Sequence, residues 1–295
     1  MWEEFKLSKE FKTYRQILTI LRDRGMSIPK GAIGSRVMRI LEHENYYNVI
    51  NGYKTLFLDL SAPTEQFKPG TTFDEVYALF CFDREIRGIY LRYLLKIEHS
   101  FKTVIAHEFS ALYGHDNYLK LDNFSTSSPE DIAAVTSLFG DIQKEIARQL
   151  GKNHPALTHY LGTYGYIPLW VLVDVLTFGK TTFFYLRMKE KDKIAVAKKF
   201  HTPHRELHKY MSFLGLARNK CAHNERFFDF HNKSRIKVKS IKNFPVLGIP
   251  LKSDGNCQYG TNDLFAIAII FALLLSRSEM KEFIASMNIA IIIDS

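Results

Sequence analysis

The chain has 295 residues, of which 46% are hydrophobic and 24% are charged, and its formal net charge is +9. This composition excludes an intrinsically disordered protein, because enough apolar residues are present to fill a core. The longest apolar run, residues 264–275, is much shorter than the ~20 residues of a membrane-spanning helix, so we expect no membrane association.

The N-terminus and the cysteines predict the cellular compartment. The opening residues MWEEFKLSKE are acidic and amphipathic, whereas a secretion signal is basic and then apolar. Cys81, Cys221 and Cys257 are odd in number and far apart, which fits neither a disulfide framework nor the spacing of zinc ligands. We therefore expect a cytoplasmic protein. The chain also has no nucleotide-binding glycine motif, and we expect no cofactor.

Apolar residues recur at helical spacing along the first half of the chain. This pattern predicts a helix from Phe5 to Leu21, and the pair Asn51-Gly52 predicts a turn. A capping box of Thr72 and Glu75 begins a much longer periodic segment, which ends at Gly114. We expect this segment to form one helix of about 40 residues, roughly 60 Å long, with a kink near Gly88.

The second half of the chain is also mainly helical in pattern. Ser128 and Pro129 have the residue types of a helix start, and that helix should reach about Leu150. Residues 151–168 look irregular, and the apolar segment that follows predicts a buried helix with Trp170 in the core. A further helix starts at Thr202-Pro203. Alternation typical of a strand occurs only in residues 234–253.

These elements predict an all-α fold. We expect an N-terminal helical portion over residues 1–70 and a helical bundle over residues 71–295, although one continuous domain would also fit the pattern. A short strand-like excursion near residues 234–253 would interrupt the bundle. No internal repeat or low-complexity linker is visible.

Positive charge is concentrated in residues 180–252. This segment holds 18 Lys and Arg against 5 Asp and Glu. A surface of this kind favours a polyanionic partner, of which RNA and DNA are the commonest. A solvated surface that only keeps the protein soluble is the alternative.

The segment FLGLARNKCAHNERFFDF, residues 213–230, combines apolar and cationic residues on one predicted helix. At 100° per residue, Arg218 falls inside an apolar stripe made by Leu207, Met211, Leu214 and Cys221. A polar flank beside the stripe holds Asn219, His223 and Arg226. A buried guanidinium requires an anionic partner. Arg218 therefore either faces a cleft that binds an anion or pairs with a buried glutamate in a purely structural role.

A second group of side chains, His201, His204 and His208, has spacing that a metal site can use. Glu206 is the nearest carboxylate in sequence, but its helical position points elsewhere. We therefore interpret these histidines as residues of a helix surface and predict no metal site.

The residues LARNKCAHNERFF resemble the R-x4–6-H signature of HEPN domains, in the form found in the Abi-like (AbiD/AbiF-type) bacterial abortive-infection proteins. Three further segments resemble the same family in the same order. They are an aromatic segment at 45–57, a long helix at 82–114 with Lys96-Ile97-Glu98 at its centre, and a Pro-aromatic-apolar box at 168–180.

This resemblance implies a helical bundle of HEPN type and a metal-independent endoribonuclease of antiviral defence. HEPN nucleases typically build a composite site from two R-x4–6-H motifs. Because this chain has one clear copy, the resemblance implies a homodimer. Some AbiF-type relatives are associated with a small noncoding RNA, so a structured RNA is a further expected partner, as substrate or as regulator.

The resemblance also implies roles for individual residues. His223 would be the general acid or base, Arg218 would clamp the scissile phosphate, and Asn219 and Glu98 would orient them. The expected RNA-backbone contacts are Arg226, Lys220, Lys233, Arg235, Lys237 and Lys239. These roles suit RNA, whose 2′-hydroxyl supplies the nucleophile, because histidine exchanges protons near neutral pH and arginine binds phosphate in a forked geometry. The alternative function is a module that binds structured RNA without cutting it.

Overall fold

The computed structural model of the protein describes residues 10–241 and 244–293. Helices dominate these ranges, and the pairing of strands within them is limited to isolated bridges. The prediction of an all-α protein is therefore confirmed. The chain divides into two compact units, of which the first is Met1–Ile86 with Ile289–Ser295 and the second is Arg87–Asn288.

The first unit opens with two helices that pack on each other, α1 (Tyr14–Asp23) and α2 (Ala32–His43). The predicted start of α1 at Phe5 lies outside the described residues, and within them the helix begins later than expected. Thr13 sets this start by a capping box. Its Oγ1 accepts from the backbone N–H of Gln16 at 3.3 Å, and the Gln16 side chain accepts from the Thr13 N–H at 2.8 Å.

The turn predicted at Asn51-Gly52 is wrong. A π-helical turn covers Tyr47–Asn51, and Gly52 continues it with helical dihedral angles, φ −66° and ψ −32°. The buried Tyr53 that follows fixes this segment, because its ring packs edge-on against Phe80 with centroids 5.6 Å apart. Packing of an aromatic anchor has overridden the local turn propensity of an Asn-Gly pair.

The long helix is confirmed as α3 (Phe73–Tyr113), with 41 residues and no interruption at Gly88. Glu75 accepts from the Thr72 backbone N–H at 2.7 Å, which completes the predicted capping box. Gly114 ends the helix with a left-handed φ of +86°, a conformation that glycine adopts without strain.

After α3 the chain forms a series of shorter helices. They are α4 (Pro129–Leu150), α5 (Pro155–Tyr164), α6 (Leu169–Val175), α7 (Phe178–Arg187), α8 (Glu190–Lys199), α9 (His204–Ala222), α10 (Leu264–Leu274) and α11 (Arg277–Ile293). Ser128 caps α4 as predicted. Residues 151–168 are not irregular, because α5 occupies their centre. It has Pro155 at its first position and Gly165 in the left-handed conformation after its end, a pairing typical of helix boundaries.

Trp170 does not lie in the core as predicted, since it is 50% exposed. Helix α6 buries Leu169, Leu172 and Val173, which are spaced three and four residues apart and therefore share one face. Trp170 follows Leu169 by about 100° around the helix axis. Its ring lies 5.4 Å from the ring of His115 at the surface.

Aromatic rings form the core that joins α3 to α7. The ring of Phe101 lies 5.4 Å from that of Tyr185, and the ring of Phe109 lies 5.1 Å from that of Phe184. All four side chains are at most 1% exposed. Burying each such ring contributes about 1.5–3 kcal/mol to stability. The core therefore fixes the position of α3, and with it the carboxylate discussed below.

The segment from 234 to 253 contains no strand in its described residues. It forms two short 3-10 helices, Val238–Ser240 and Phe244–Leu247, and Leu251 makes a single bridge to Cys257. Pro245 and Pro250 lack the N–H that a ladder needs. Alternating hydrophobicity without a neighbouring strand has therefore not produced a sheet.

A buried carboxylate links α4 to α7. Glu145 is 5% exposed and accepts from Arg148 Nε at 3.1 Å, Gln149 Nε2 at 2.9 Å and Lys180 Nζ at 3.4 Å. These hydrogen bonds, with that of Arg148 the strongest, hold the pKa of the Glu145 carboxyl at about 2, far below its ordinary value near 4.5.

The stability of the fold should therefore depend on Glu145 at low pH. Because the folded pKa is depressed, its contribution is complete above about pH 4.5 and disappears as pH falls towards about 2. We expect Glu145→Gln to lower the free energy of unfolding by about 1–2 kcal/mol at pH 7, a modest value because Arg148 is half exposed. Urea unfolding at pH 7 and pH 2.5 tests this, and a difference that persists undiminished at the lower pH would contradict it.

Across the described ranges, none of the helices combines the length and hydropathy needed to cross a bilayer.

Candidate functional site

Helix α9 presents Arg218 towards α3. The predicted apolar stripe of α9 is buried, with Leu207, Met211, Leu214 and Cys221 at most 4% exposed. Arg218 lies on the same side of the helix, one turn after Leu214. Its Nε donates to Glu98 Oε2 at 3.0 Å, across a separation of 120 residues in sequence. The structure thus brings together two of the predicted site residues, Arg218 and Glu98.

Glu98 binds a second cation on its other oxygen. Its Oε1 lies 2.9 Å from Lys102 Nζ, one turn further along α3. Glu98 and Lys102 are both buried, with 5% and 8% exposure. Lys102, Glu98 and Arg218 therefore form a cluster with a net charge of +1, in which the carboxylate lies between the two cations. The sequence analysis missed Lys102, although its position four residues after Glu98 is the spacing of a helical ion pair.

Arg218 is held from one side only. Its side chain is 30% exposed. Among the described residues, Arg218 forms a hydrogen bond and ion pair with Glu98 through its Nε. The two terminal Nη nitrogens remain as donors. A guanidinium fixed through Nε offers these two nitrogens as a fork of known orientation, which matches the oxygens of a phosphate.

His223 lies at the end of α9, directly after its last helical residue, Ala222. Its backbone N–H donates to the Asn219 carbonyl at 3.0 Å, and its side chain is exposed. Asn224 then takes a left-handed φ of +55° and turns the chain away. His223 is therefore placed one turn from Asn219 and on the same helix as Arg218, and its imidazole is accessible to solvent.

The helix ends before Arg226, so the predicted continuation of the polar flank to that residue is wrong. The left-handed Asn224 terminates α9 in the manner of a helix cap. Arg226 instead forms an ion pair with Asp229, with Nε 3.0 Å from Oδ1. Lys220 similarly lies 3.3 Å from Glu225. Both cations sit near the motif, and each has an acidic neighbour that an RNA phosphate would have to displace.

The other four predicted RNA contacts lie in the loop after α9. Lys233, Arg235, Lys237 and Lys239 are all exposed, and Lys239 Nζ donates to the carbonyl of Gly255. Asn219 is exposed on α9 and lines a hollow between α9 and α7. Within the described residues, the hydrogen bonds and ion pairs of Arg218 and Glu98 join them to each other and to Lys102.

The described part of the chain contains no cluster of side chains that could bind a metal ion. No group of three or more His, Cys, Asp or Glu side chains within it has the geometry to hold a metal ion. His204 instead lies 2.7 Å from Glu190 through its Nε2.

Comparison with known proteins assigns the chain to a family. The model of the Abi-like proteins matches residues 39–229, a range that contains Glu98, Arg218 and His223 and covers well over half of the chain. No curated protein and no solved structure matches the chain. The chain therefore belongs to the Abi-like protein family.

Proposed function

We propose that the protein is a metal-independent endoribonuclease of HEPN type, in the AbiD/AbiF branch of its family, that acts in abortive-infection defence. Family membership points to abortive infection. The observation that carries the nuclease proposal is the pair of Arg218 with buried Glu98, because it fixes an arginine by Nε and leaves its forked end available to a phosphate. His223 supplies an accessible imidazole from the same helix.

In the proposed reaction, RNA supplies its own nucleophile. An imidazole of His223 removes the proton of the ribose 2′-hydroxyl, and the 2′-oxygen forms a bond to the adjacent phosphorus as the bond to the 5′-oxygen breaks. A second imidazole gives a proton to the departing 5′-oxygen. Arg218 stabilises the negative charge that develops on the phosphate oxygens. The products are a 2′,3′-cyclic phosphate and a 5′-hydroxyl, and the cyclic phosphate can open to a 3′-phosphate.

The proposed mechanism needs two histidines on opposite sides of one phosphate. The spacing R-x4-H occurs at Arg218–His223 and again at Arg226–His231. Arg218 is the arginine paired with buried Glu98, whereas Arg226 pairs with Asp229, so we take the second histidine from the Arg218–His223 motif of another copy in a homodimer. The excess of positive charge in residues 180–252 supports RNA as the substrate, because it attracts a polyanion. The same surface would hold a structured regulatory RNA that restrains the nuclease until infection.

The test uses purified protein and a mixed-sequence RNA in the presence of EDTA. We expect cleavage by the wild-type protein and products that end in a cyclic phosphate and a 5′-hydroxyl. The variants Arg218→Ala and His223→Ala, prepared in the same way, reveal any contaminating nuclease. Equal cleavage by all three proteins, or loss of wild-type cleavage in EDTA, would contradict the proposal.

One observation favours a second function, the binding of structured RNA without cleavage. The ion pair with Glu98 already gives Arg218 a structural role, and the loop cations Lys233 and Arg235 are exposed for phosphate contacts. In that case His223→Ala protein would co-purify with the same intact RNA as the wild type, and expression of the wild type would not be more toxic than expression of the variant.

A further inference from the structure

Beside the motif, α7 and α9 enclose a hollow that none of the proposed catalytic steps uses. It has a volume of about 380 Å³, within the usual range of small-molecule sites. Its walls are mainly apolar, and four polar side chains, Thr182 among them, interrupt them. The residues that matter here are Phe183, Leu186, Met211, Leu216, His208 and Asn219. Asn219 follows Arg218 in sequence, and its side chain lies about 100° further around α9, so the hollow lies on the flank of the helix next to the one that carries the proposed phosphate clamp.

A second hollow lies on the other flank of α9. The two share His208, Ser212 and Leu216, and the second, of about 510 Å³, reaches the loop cation Arg235. From Asn219 back to His208, α9 extends by about 16 Å. The two hollows together are called the α9 groove below. It consists of one hollow on each side of the strip of α9 that carries His208, Ser212 and Leu216.

The chemistry of the α9 groove fits a flat ligand with apolar faces and a polar edge. Leu216 is 42% exposed, and the ring of Phe183 is covered on one side by the Arg187 guanidinium at 4.9 Å. The amide of Asn219 and the hydroxyl of Ser212 can donate and accept hydrogen bonds. An unpaired nucleobase has these properties, with stacking faces and a hydrogen-bonding edge.

The charge around the α9 groove fits a polyanion. Lys209 and Arg235 line it, and no Asp or Glu is among the described residues that do. Burial lowers the pKa of His208, and the nearby cations Lys193, Arg187 and Lys209 lower it further. An RNA strand brings the opposite charge.

From this arrangement we infer that the α9 groove binds unpaired bases of the RNA strand whose phosphate is held by Arg218. The inference rests on the proposed function and narrows its substrate to single-stranded RNA. Bases next to the scissile phosphate enter the hollow beside Asn219, and following nucleotides run past Ser212 towards Arg235. Apolar walls make the contact largely independent of base identity, because every base has a stacking face.

The test separates binding from cleavage. The probe is a short fluorescent oligonucleotide with 2′-O-methyl riboses, which cannot be cut because its 2′-oxygen carries no proton. Ser212 lines both hollows, so Ser212→Trp places a bulky indole where it obstructs both of them. Ser137→Trp, at an exposed serine of α4 outside the groove, is the matched control. We expect Ser212→Trp to weaken binding at least about tenfold, the loss of roughly one stacked base, and Ser137→Trp to leave the affinity unchanged.

A second measurement locates the bases directly. The same oligonucleotide with 4-thiouridine, crosslinked to wild-type protein by light, should attach to residues of α7, α9 or the loop segment 232–236 that line the groove. A duplex of the same sequence should bind more weakly, because its bases are paired. Unchanged affinity of Ser212→Trp, crosslinks confined to other segments, or a duplex that binds as tightly as the single strand would each overturn the inference.

The failures of the two proposals give different results. If the wild type binds the probe through the groove but never cuts RNA, the nuclease proposal fails and the groove inference stands. If the wild type cuts RNA and Ser212→Trp binds the probe with normal affinity, the groove inference fails and the nuclease proposal stands. If Ser212→Trp instead converts a dimer into a monomer by light scattering without changing the RNA affinity, the groove is a protein interface, and the inference is wrong.

Discussion

Arg218→Lys is expected to lower the rate of RNA cleavage by about 10²–10³-fold, the usual effect of removing a donor that stabilises transition-state charge. The substitution keeps the positive charge but has one nitrogen in place of three. A single ammonium can pair with Glu98 or bind the phosphate, whereas the guanidinium can use Nε for Glu98 and its Nη nitrogens for the phosphate. Single-turnover cleavage of a defined RNA measures the effect.

The control for this prediction is Arg205→Lys, an exposed arginine on the same helix α9. It should cleave at the wild-type rate, since its side chain is outside the Arg218–Glu98 pair. If Arg218→Lys also cleaves at the wild-type rate, the forked geometry is irrelevant, and Arg218 acts only as a point charge. A large loss in Arg218→Lys together with normal RNA affinity would locate the effect in the transition state.

The helical architecture was accessible from sequence because it rests on local signals. The capping box at Thr72, the proline after Ser128 and the glycine at 114 each act within one helical turn, and α3 and α4 have the predicted ends. Helix α5 carried the same kind of signal in Pro155 and Gly165. It was missed because the residues between them are apolar and aromatic without a clear period.

Errors occurred where packing over a long distance decides the outcome. Trp170 is exposed because the short helix α6 turns Leu169 and Val173 inward, and the sequence of an almost wholly apolar segment does not show which face is buried. Residues 234–253 alternate like a strand, but a strand forms only where a partner supplies hydrogen bonds. The end of α9 before Arg226 depends on Asn224 in a left-handed conformation, which asparagine tolerates better than most residues.

The candidate site also has features that local sequence predicts and features that depend on long-range packing. Helical spacing alone placed Arg218 among buried residues and therefore required an anionic partner. It could not identify that partner, because Glu98 lies 120 residues away; the family resemblance named it. Lys102 could have been found from its spacing to Glu98. The α9 groove could not, since its walls come from α7, α9 and the loop after α9, and its shape depends on how these segments pack.

Glu98→Gln is expected to lower the free energy of unfolding by about 3–5 kcal/mol, the cost of leaving a buried charge without its partner. The amide keeps the size of the side chain but removes the negative charge between Lys102 and Arg218. Most of this cost comes from Lys102, because its ammonium is buried, at 8% exposure, and cannot reach solvent as the partly exposed Arg218 can. Urea unfolding followed by circular dichroism measures the change.

The double variant Glu98→Gln/Lys102→Met separates stability from positioning. Methionine has the length of the lysine stem without the charge, so we expect most of the lost stability to return. Cleavage should remain impaired, because Arg218 still lacks the carboxylate that orients its Nε. Glu108→Gln, a partly buried carboxylate on the same helix that pairs with Lys199 near the surface, should cost less than about 1 kcal/mol. A Glu98→Gln protein as stable as this control would show that the Lys102–Glu98–Arg218 cluster is solvated, and a double variant with full activity would show that Arg218 does not depend on Glu98 for its position.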